Sequence, residues 1–316
     1  MFEIVFFGTS AAAPSIHRGL ASQAILTGEH RFLIDCGEGT QRQILRSGIG
    51  FKRLNRILLT HAHLDHILGL GGLLSTFIRW EDGIQELEIF GGKPALDRVH
   101  NLLYGVVLAG EKPPIPIHLI NLQAGVIMES KELTVSAFPV THRGKGNFGF
   151  IFQEPTHRPF LVEKAEELGI PVGPERGQLV RGETITLADD TVITPDMVLG
   201  KAIEGIKHVH IGDIARLDNI REYVADAHAL SIEATFLEVD RDVARQVGHI
   251  TAKQAAELAR DMNIKTLFLT HISRRYRERD VITEARAIFP NTYVVRDLDH
   301  FVIYRDKPAE KKVTDS

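Results

Sequence analysis

An apolar run, Arg56-Ile57-Leu58-Leu59-Thr60, leads without a break into His61-Ala62-His63-Leu64-Asp65-His66. A short run dominated by Ile and Leu reads as a buried strand. Three imidazoles and a carboxylate then sit in the loop at its C-terminal end, ahead of a helix expected near Leu68. The backbone turns there, so side chains from this loop can converge on one point. Imidazole and carboxylate oxygen are a ligand set for zinc and its neighbours. Four such ligands within six residues cannot surround one tetrahedral ion without strain, so two ions are the more economical reading.

The same grammar recurs along the chain. Strands are expected at Phe2 to Phe7, Ala21 to Leu26 and Arg31 to Asp35, the last two joined by a hairpin turn at Thr27-Gly28-Glu29-His30. Later strands end on ligand-type residues: Leu133 to Val140 before His142, Val209 to Asp213, Ala229 to Glu233, and Lys265 to Thr270 before His271. The segment Thr251 to Met262 reads as a helix with Ala255, Ala256, Leu258 and Ala259 on its inner face. Alternating strands and helices predict a layered α/β protein with central sheets covered by helices. By this context His142, Asp213 and His271 are the further ligand candidates. Asp213 is the natural bridge, since a carboxylate has an oxygen for each of two ions about 3.5–4 Å apart. His208 and His210 also flank Asp213, and periodicity is expected to place one of them in the core.

Composition narrows the chemistry. Cys36 is the only cysteine, which excludes an intramolecular disulfide and a Cys-rich zinc finger. Metal must then be held by carboxylates and by some of the 15 histidines. The formal net charge of −4 argues mildly against a protein that coats nucleic acid through overall charge, and leaves room for a local basic patch. The amino terminus reads as a strand rather than a secretory signal. The longest apolar stretch, around Ile67 to Leu74, is too short and glycine-rich to span a bilayer. A cytoplasmic protein with no membrane partner is expected.

From about Pro155 to Pro195 the chain is rich in proline, glycine and charge, and such a stretch is more often a functional protrusion than core. The expected organisation is a catalytic body over 1–306, an inserted arm over 153–195, and a disordered charged tail over 307–316.

Thr60-His61-Ala62-His63-Leu64-Asp65-His66 matches the His-x-His-x-Asp-His signature of the metallo-β-lactamase superfamily, which implies an αββα sandwich with metals at one edge of two packed sheets. Further segments resemble ribonuclease Z, the endonuclease that removes the 3′ trailer from precursor tRNA. They are Phe7-Gly8-Thr9-Ser10, Leu33 to Gln41, Glu233-Ala234-Thr235-Phe236, Gly248 to Ala256 and Leu269 to Tyr276. The irregular middle resembles the protruding arm with which bacterial and archaeal members grip the tRNA elbow.

The resemblance implies two Zn2+ per subunit, with Mn2+ or another divalent ion as the substitute. It places one on His61, His63, His142 and Asp213, and the other on Asp65, His66, Asp213 and His271. Asp65 would orient or deprotonate the attacking water, His249 would protonate the leaving 3′ oxygen, and Glu233 would orient His249. The products would be a 3′-hydroxyl on the tRNA and a 5′-phosphate on the trailer. Precursor tRNA is the implied partner, and a homodimer the implied assembly. Arg18, Arg158, Lys164, Arg176 and Arg275 are candidate RNA contacts. Two departures stand out. Pro14-Ser15-Ile16-His17-Arg18-Gly19 has Ile16 and Gly19 where the motif tied to discrimination against mature CCA ends has lysine and asparagine. Asp213 is followed by Ile214 and Ala215, where many relatives have Thr-Arg. The competing functions are a hydrolase of small phosphodiesters on the same scaffold and a catalytically silent tRNA-binding protein.

Overall fold

The chain, in a computed structural model that describes residues 2–79 and 83–312, divides into two compact units, Met1–Gln153 with Ile206–Ser316, and Glu154–Gly205. The first unit carries two sheets. One has eight strands in the order Glu310–Lys311, His300–Ile303, Phe2–Gly8, Ser22–Thr27, His30–Ile34, Arg56–Leu58, Leu87–Gly91 and Ile117–Asn121. The other has seven: Thr292–Val294, Leu267–Thr270, Ala229–Glu233, Lys207–His210, Phe148–Gln153, Thr134–Pro139 and Gly125–Glu129.

Phenylalanine fills the space between them. Phe32 meets Phe152 at 5.3 Å and Phe6 meets Phe268 at 5.6 Å, both edge to face, the arrangement favoured by the ring quadrupoles. On the outer faces, Leu33, Ile57 and Ile89 pack with Leu73, Leu74 and Phe77 of helix Leu70–Arg79. Val209, Leu230 and Leu267 pack with Ala255, Ala256 and Ala259 of helix Ala252–Asp261. That helix starts at a capping box in which Thr251 and Gln254 satisfy each other's backbone N–H groups. The result is the expected αββα sandwich.

Four strands of each sheet run parallel: His30–Ile34, Arg56–Leu58, Leu87–Gly91 and Ile117–Asn121 in one, Lys207–His210, Ala229–Glu233, Leu267–Thr270 and Thr292–Val294 in the other. Parallel strands bring their C-terminal ends to one edge, where ligands collect in α/β sheets. Asp35, His61, Asp213, Glu233 and His271 all follow or close such ends.

Several local expectations are corrected. The helix after the histidine cluster starts at Leu64, not Leu68, and is broken into Leu64–Ile67 and Leu70–Arg79. At the break, a Cβ on Gly69 would lie 2.0 Å from the Gly37 carbonyl oxygen, so the backbones touch there. Asp65 and His66 therefore sit on a helical turn. His208 and His210 are both buried. Residues two apart on a strand share a face, and this strand is covered on both sides. The tail is not wholly disordered: Glu310–Lys311 pairs with Phe301–Val302 and Ala309 is buried. A two-residue strand has no periodicity to read, and residues 313–316 lie outside the described residues.

The second unit extends past the expected boundary of 195 to Gly205. Helices Val162–Glu167, Pro174–Val180 and Pro195–Val198 and the hairpin of Ile185–Thr186 with Val192–Ile193 surround a small core of Ala165, Ile170, Leu179, Ile193 and Val198. Leu161 N–H donates to Val198 O, and His157 pairs with Ile203, which draws the last ten residues in. Among the described residues no helix is long and apolar enough to cross a membrane.

Candidate metal centre

Ligand atoms of His61, His63, His142 and Asp213 lie within 4.8 Å of one another, as do those of Asp65, His66 and His271. Asp213 faces both groups. Its Oδ2 is 3.6 Å from Nε2 of both His61 and His142, and its Oδ1 is 3.5 Å from His66 Nε2 and 3.3 Å from His271 Nε2. Asp65 Oδ2 is 3.4 Å from His271 Nε2 and 3.7 Å from His66 Nε2. These gaps are longer than good hydrogen bonds. They resemble the edge of a tetrahedron around an ion with ligands at 2.0–2.1 Å, about 3.3 Å. Nε2 of His61 and His66 and Oδ1 of Asp213 are buried without a hydrogen-bond partner among the described residues, a costly condition that a coordinated cation removes. The donor set fits divalent metal.

Electrostatics agree. Burial, helped by neighbouring imidazoles, lowers the pKa of His61, His63 and His142, which keeps them in the neutral form that binds metal. Burial opposes ionisation of Asp213, but His271, His66 and His61 outweigh it and hold its carboxyl well below the usual range. His66 is raised despite its burial, because Asp35 and Asp213 favour positive charge there.

The rings other than that of His63 are held from behind. His142 Nδ1–H donates to Gly248 O at 2.8 Å, and His66 Nδ1–H to Asp35 Oδ2 at 2.7 Å. Thr60 Oγ1–H donates to Asp35 at 2.7 Å and accepts from His61 Nδ1 at 2.9 Å. The second sheet repeats this scheme. Thr235 Oγ1–H donates to Glu233 at 2.5 Å and accepts from His271 Nδ1 at 2.9 Å, while His249 Nδ1–H donates to Glu233 Oε1 at 2.9 Å. Asp35 and Glu233 also each accept a backbone N–H, from Thr60 at 2.8 Å and Ile214 at 2.7 Å. One buried carboxylate per sheet thus orients two rings. Burial disfavours the charged form of His249, but Glu233 outweighs it and lifts the pKa to about 9. Asp35 and His271 hold positive φ, 54° and 55°, conformations that cost energy in non-glycine residues and cluster at functional sites. Asp35, Thr60 and Thr235 were not among the expected site residues; the strand-ending position of Asp35, shared with Asp213, was the available signal.

Residues 19–148 match the metallo-beta-lactamase superfamily, and residues 181–272 a beta-lactamase superfamily domain. Ribonuclease Z of Bradyrhizobium diazoefficiens is 46% identical over 304 residues, covering 96% of this chain and 100% of that protein. The chain belongs to the ribonuclease Z family. A second member of the ribonuclease Z family, from Bradyrhizobium sp., is 43% identical and covers 96% of this chain and 100% of its own. The crystal structure of the short form of human tRNase Z superposes with a TM-score of 0.68 at 23% identity, covering 96% and 99% of the two chains. That likeness speaks to the fold.

The expected RNA contacts fare unevenly in this ribonuclease Z family chain. Arg18 donates to Thr9 Oγ1, Val295 O and Glu278, so its guanidinium braces the chain. Arg158 is committed to Gly200 O, Leu199 O and Asp196, and Arg176 to Ile170 O and Pro171 O. Each of those three guanidiniums ties loops together through these bonds. Lys164 is exposed with no partner among the described residues. Arg275 lies over the Phe236 ring and 3.7 Å from Asp240, and remains exposed. Ile214 is buried beside Glu233, and half-buried Ala215 lines a pocket next to His249.

Because Asp35 orients His66 and, through Thr60, His61, Asp35→Ala should weaken metal binding about 10–100-fold, as loss of outer partners does elsewhere. Competition with a chelator measures this, and an unchanged affinity would refute the role given to Asp35.

Proposed function

We propose that the protein is a divalent-metal-dependent endoribonuclease that removes the 3′ trailer from precursor tRNA, leaving a 3′-hydroxyl on the tRNA and a 5′-phosphate on the trailer. The observation that carries this reading is identity of 46% to a ribonuclease Z over 96% of this chain, whose His and Asp side chains gather into the candidate ligand cluster.

In this reading His61, His63 and His142 would hold one Zn2+, Asp65, His66 and His271 would hold the other, and Asp213 would serve both. Bound there, the ions supply a nucleophile active near neutral pH and neutralise charge on the phosphoryl oxygens. Asp65 is half-buried at the mouth of the cluster. Burial works against its ionisation, but contact with His271 and the charge of His66 hold its carboxyl well below the usual range, so it stays ionised and can orient water by accepting a hydrogen bond from it. His249, protonated and aligned by Glu233, gives its proton to the departing O3′. With the nucleophile drawn from solvent, the RNA 2′-hydroxyl need not attack.

The unit Glu154–Gly205 would supply selectivity by holding folded tRNA away from the scissile bond, so that remote binding energy positions one phosphate. It is inserted between antiparallel strands whose facing ends are Gln153 and Lys207, a gap that a short hairpin turn closes. Replacing it with such a turn should lower kcat/KM for precursor tRNA at least about 100-fold, while hydrolysis of a small phosphodiester persists. Equal loss on both substrates would contradict the role of the arm. Turnover of the small phosphodiester alone by the intact protein, at full metal content, would move the function to a small-molecule hydrolase; metal-free tRNA binding without turnover would indicate the silent binder. A homodimer is part of the same proposal, and sedimentation as a 35.2 kDa monomer at working concentration would remove it.

A further inference from the structure

Helix Arg241–Val247 buries Ala244 and turns Arg241, Asp242 and Arg245 outward. At its end Gly248 takes φ +77°, a left-handed cap that reverses the chain. His249 N–H then donates back to Ala244 O at 2.9 Å. The reversal places His249 beside the helix, where it lines a pocket of about 490 Å³ together with Ala215, Arg241, Asp242, Arg245 and Gln254. That volume lies in the range that receives a small-molecule-sized group.

The lining is polar and only partly committed. Arg241 is 3.1 Å from Glu238. Gln254 gives its Oε1 to the Thr251 N–H at 3.0 Å, which leaves its amide N–H groups as donors. Arg245 is exposed and has no ion pair or side-chain hydrogen bond among the described residues. Ala215, across the pocket, is too short to fill it. A free guanidinium is a strong partner for phosphate, and the pocket's remaining acceptor, Asp242, suits a ribose hydroxyl or a base amino group.

The direction of the proton fixes which nucleotide belongs here. In the cleavage proposed above a water oxygen bonds to phosphorus, the P–O3′ bond breaks, and O3′ takes the proton of His249. The ribose that keeps O3′ must therefore lie against His249, on the pocket's side. We propose that this pocket seats the last retained nucleotide of the tRNA, and that Arg245 binds that nucleotide's 5′ phosphate. This inference rests on the precursor-tRNA reading.

The test is a double-mutant cycle between Arg245→Ala and a precursor tRNA with a methylphosphonate in place of the phosphate 5′ to the last retained nucleotide. Each change alone should lower kcat/KM about tenfold, the worth of one charge-assisted hydrogen bond. Together they should lower it no further. A methylphosphonate one position into the trailer should add its effect to that of Arg245→Ala in full. Full additivity at the 5′ phosphate, or an Arg245→Ala variant with wild-type kcat/KM at full metal content, would overturn the assignment. Failure of the wild-type protein to cut the unmodified precursor would instead overturn the nuclease reading beneath it.

Discussion

Asp213→Ala should reduce cleavage at least about 10³-fold, the scale on which an active site loses rate when charge stabilisation goes, and should lower bound metal at the same time. The two oxygens of Asp213 face different histidine groups, Oδ2 toward His61 and His142 and Oδ1 toward His66 and His271. Alanine keeps the imidazoles, whose outer contacts to Thr60, Asp35, Gly248 and Thr235 are independent of Asp213. It removes negative charge from a buried pocket whose donor set fits divalent metal. Metal analysis after dialysis, beside single-turnover rates, measures both effects. Retention of full metal with activity within tenfold would contradict a bridging role.

His249→Ala should cut kcat about 10²–10⁴-fold, the usual range for loss of a general acid, while the metal content stays near wild type. The split between rate and metal separates a proton donor from a ligand. It matters here because Asp213, His249 and His271 also come within 4.8 Å of one another. If His249→Ala loses metal in proportion to activity, His249 is a ligand and the acid must be sought elsewhere. The pH profile gives the sign of Glu233's part. A general acid acts only while protonated, so the basic limb of kcat/KM follows the pKa of His249. Glu233 raises that pKa, and Glu233→Gln removes the raise. The basic limb of the variant should therefore move to lower pH. An unmoved limb would mean that Glu233 only holds the backbone of Ile214 and the hydroxyl of Thr235.

The ligand set was legible because its members follow strands that are themselves easy to read. Leu58-Leu59 before His61 and Leu269-Thr270 before His271 are unambiguous buried runs, and parallel strands leave their C-terminal ends little choice of location. What escaped depends on distance in sequence. Thr60 meets Asp35 across 25 positions and Thr235 meets His271 across 36, and no local pattern announces either bond. The break at Gly69 is set by the backbone of Gly37, which the helical period of Leu70–Arg79 cannot report. The bonds of the arm's basic residues were hidden for a related reason. Arg158 and Arg176 read as surface charge, yet their donors are spent on the carbonyls of loops that fold back onto them. The arm's far boundary moved because Val198, beyond the proline-rich stretch, completes its small core.

The most direct test of the central claim is end-group analysis of one reaction: a precursor tRNA with a short 3′ trailer, incubated with protein of measured metal content. The account predicts a single cut at the end of the acceptor stem, with a 3′-hydroxyl on the tRNA and a 5′-phosphate on the trailer. A 2′,3′-cyclic phosphate on the tRNA, or an intact precursor beside fully metallated protein, would contradict it.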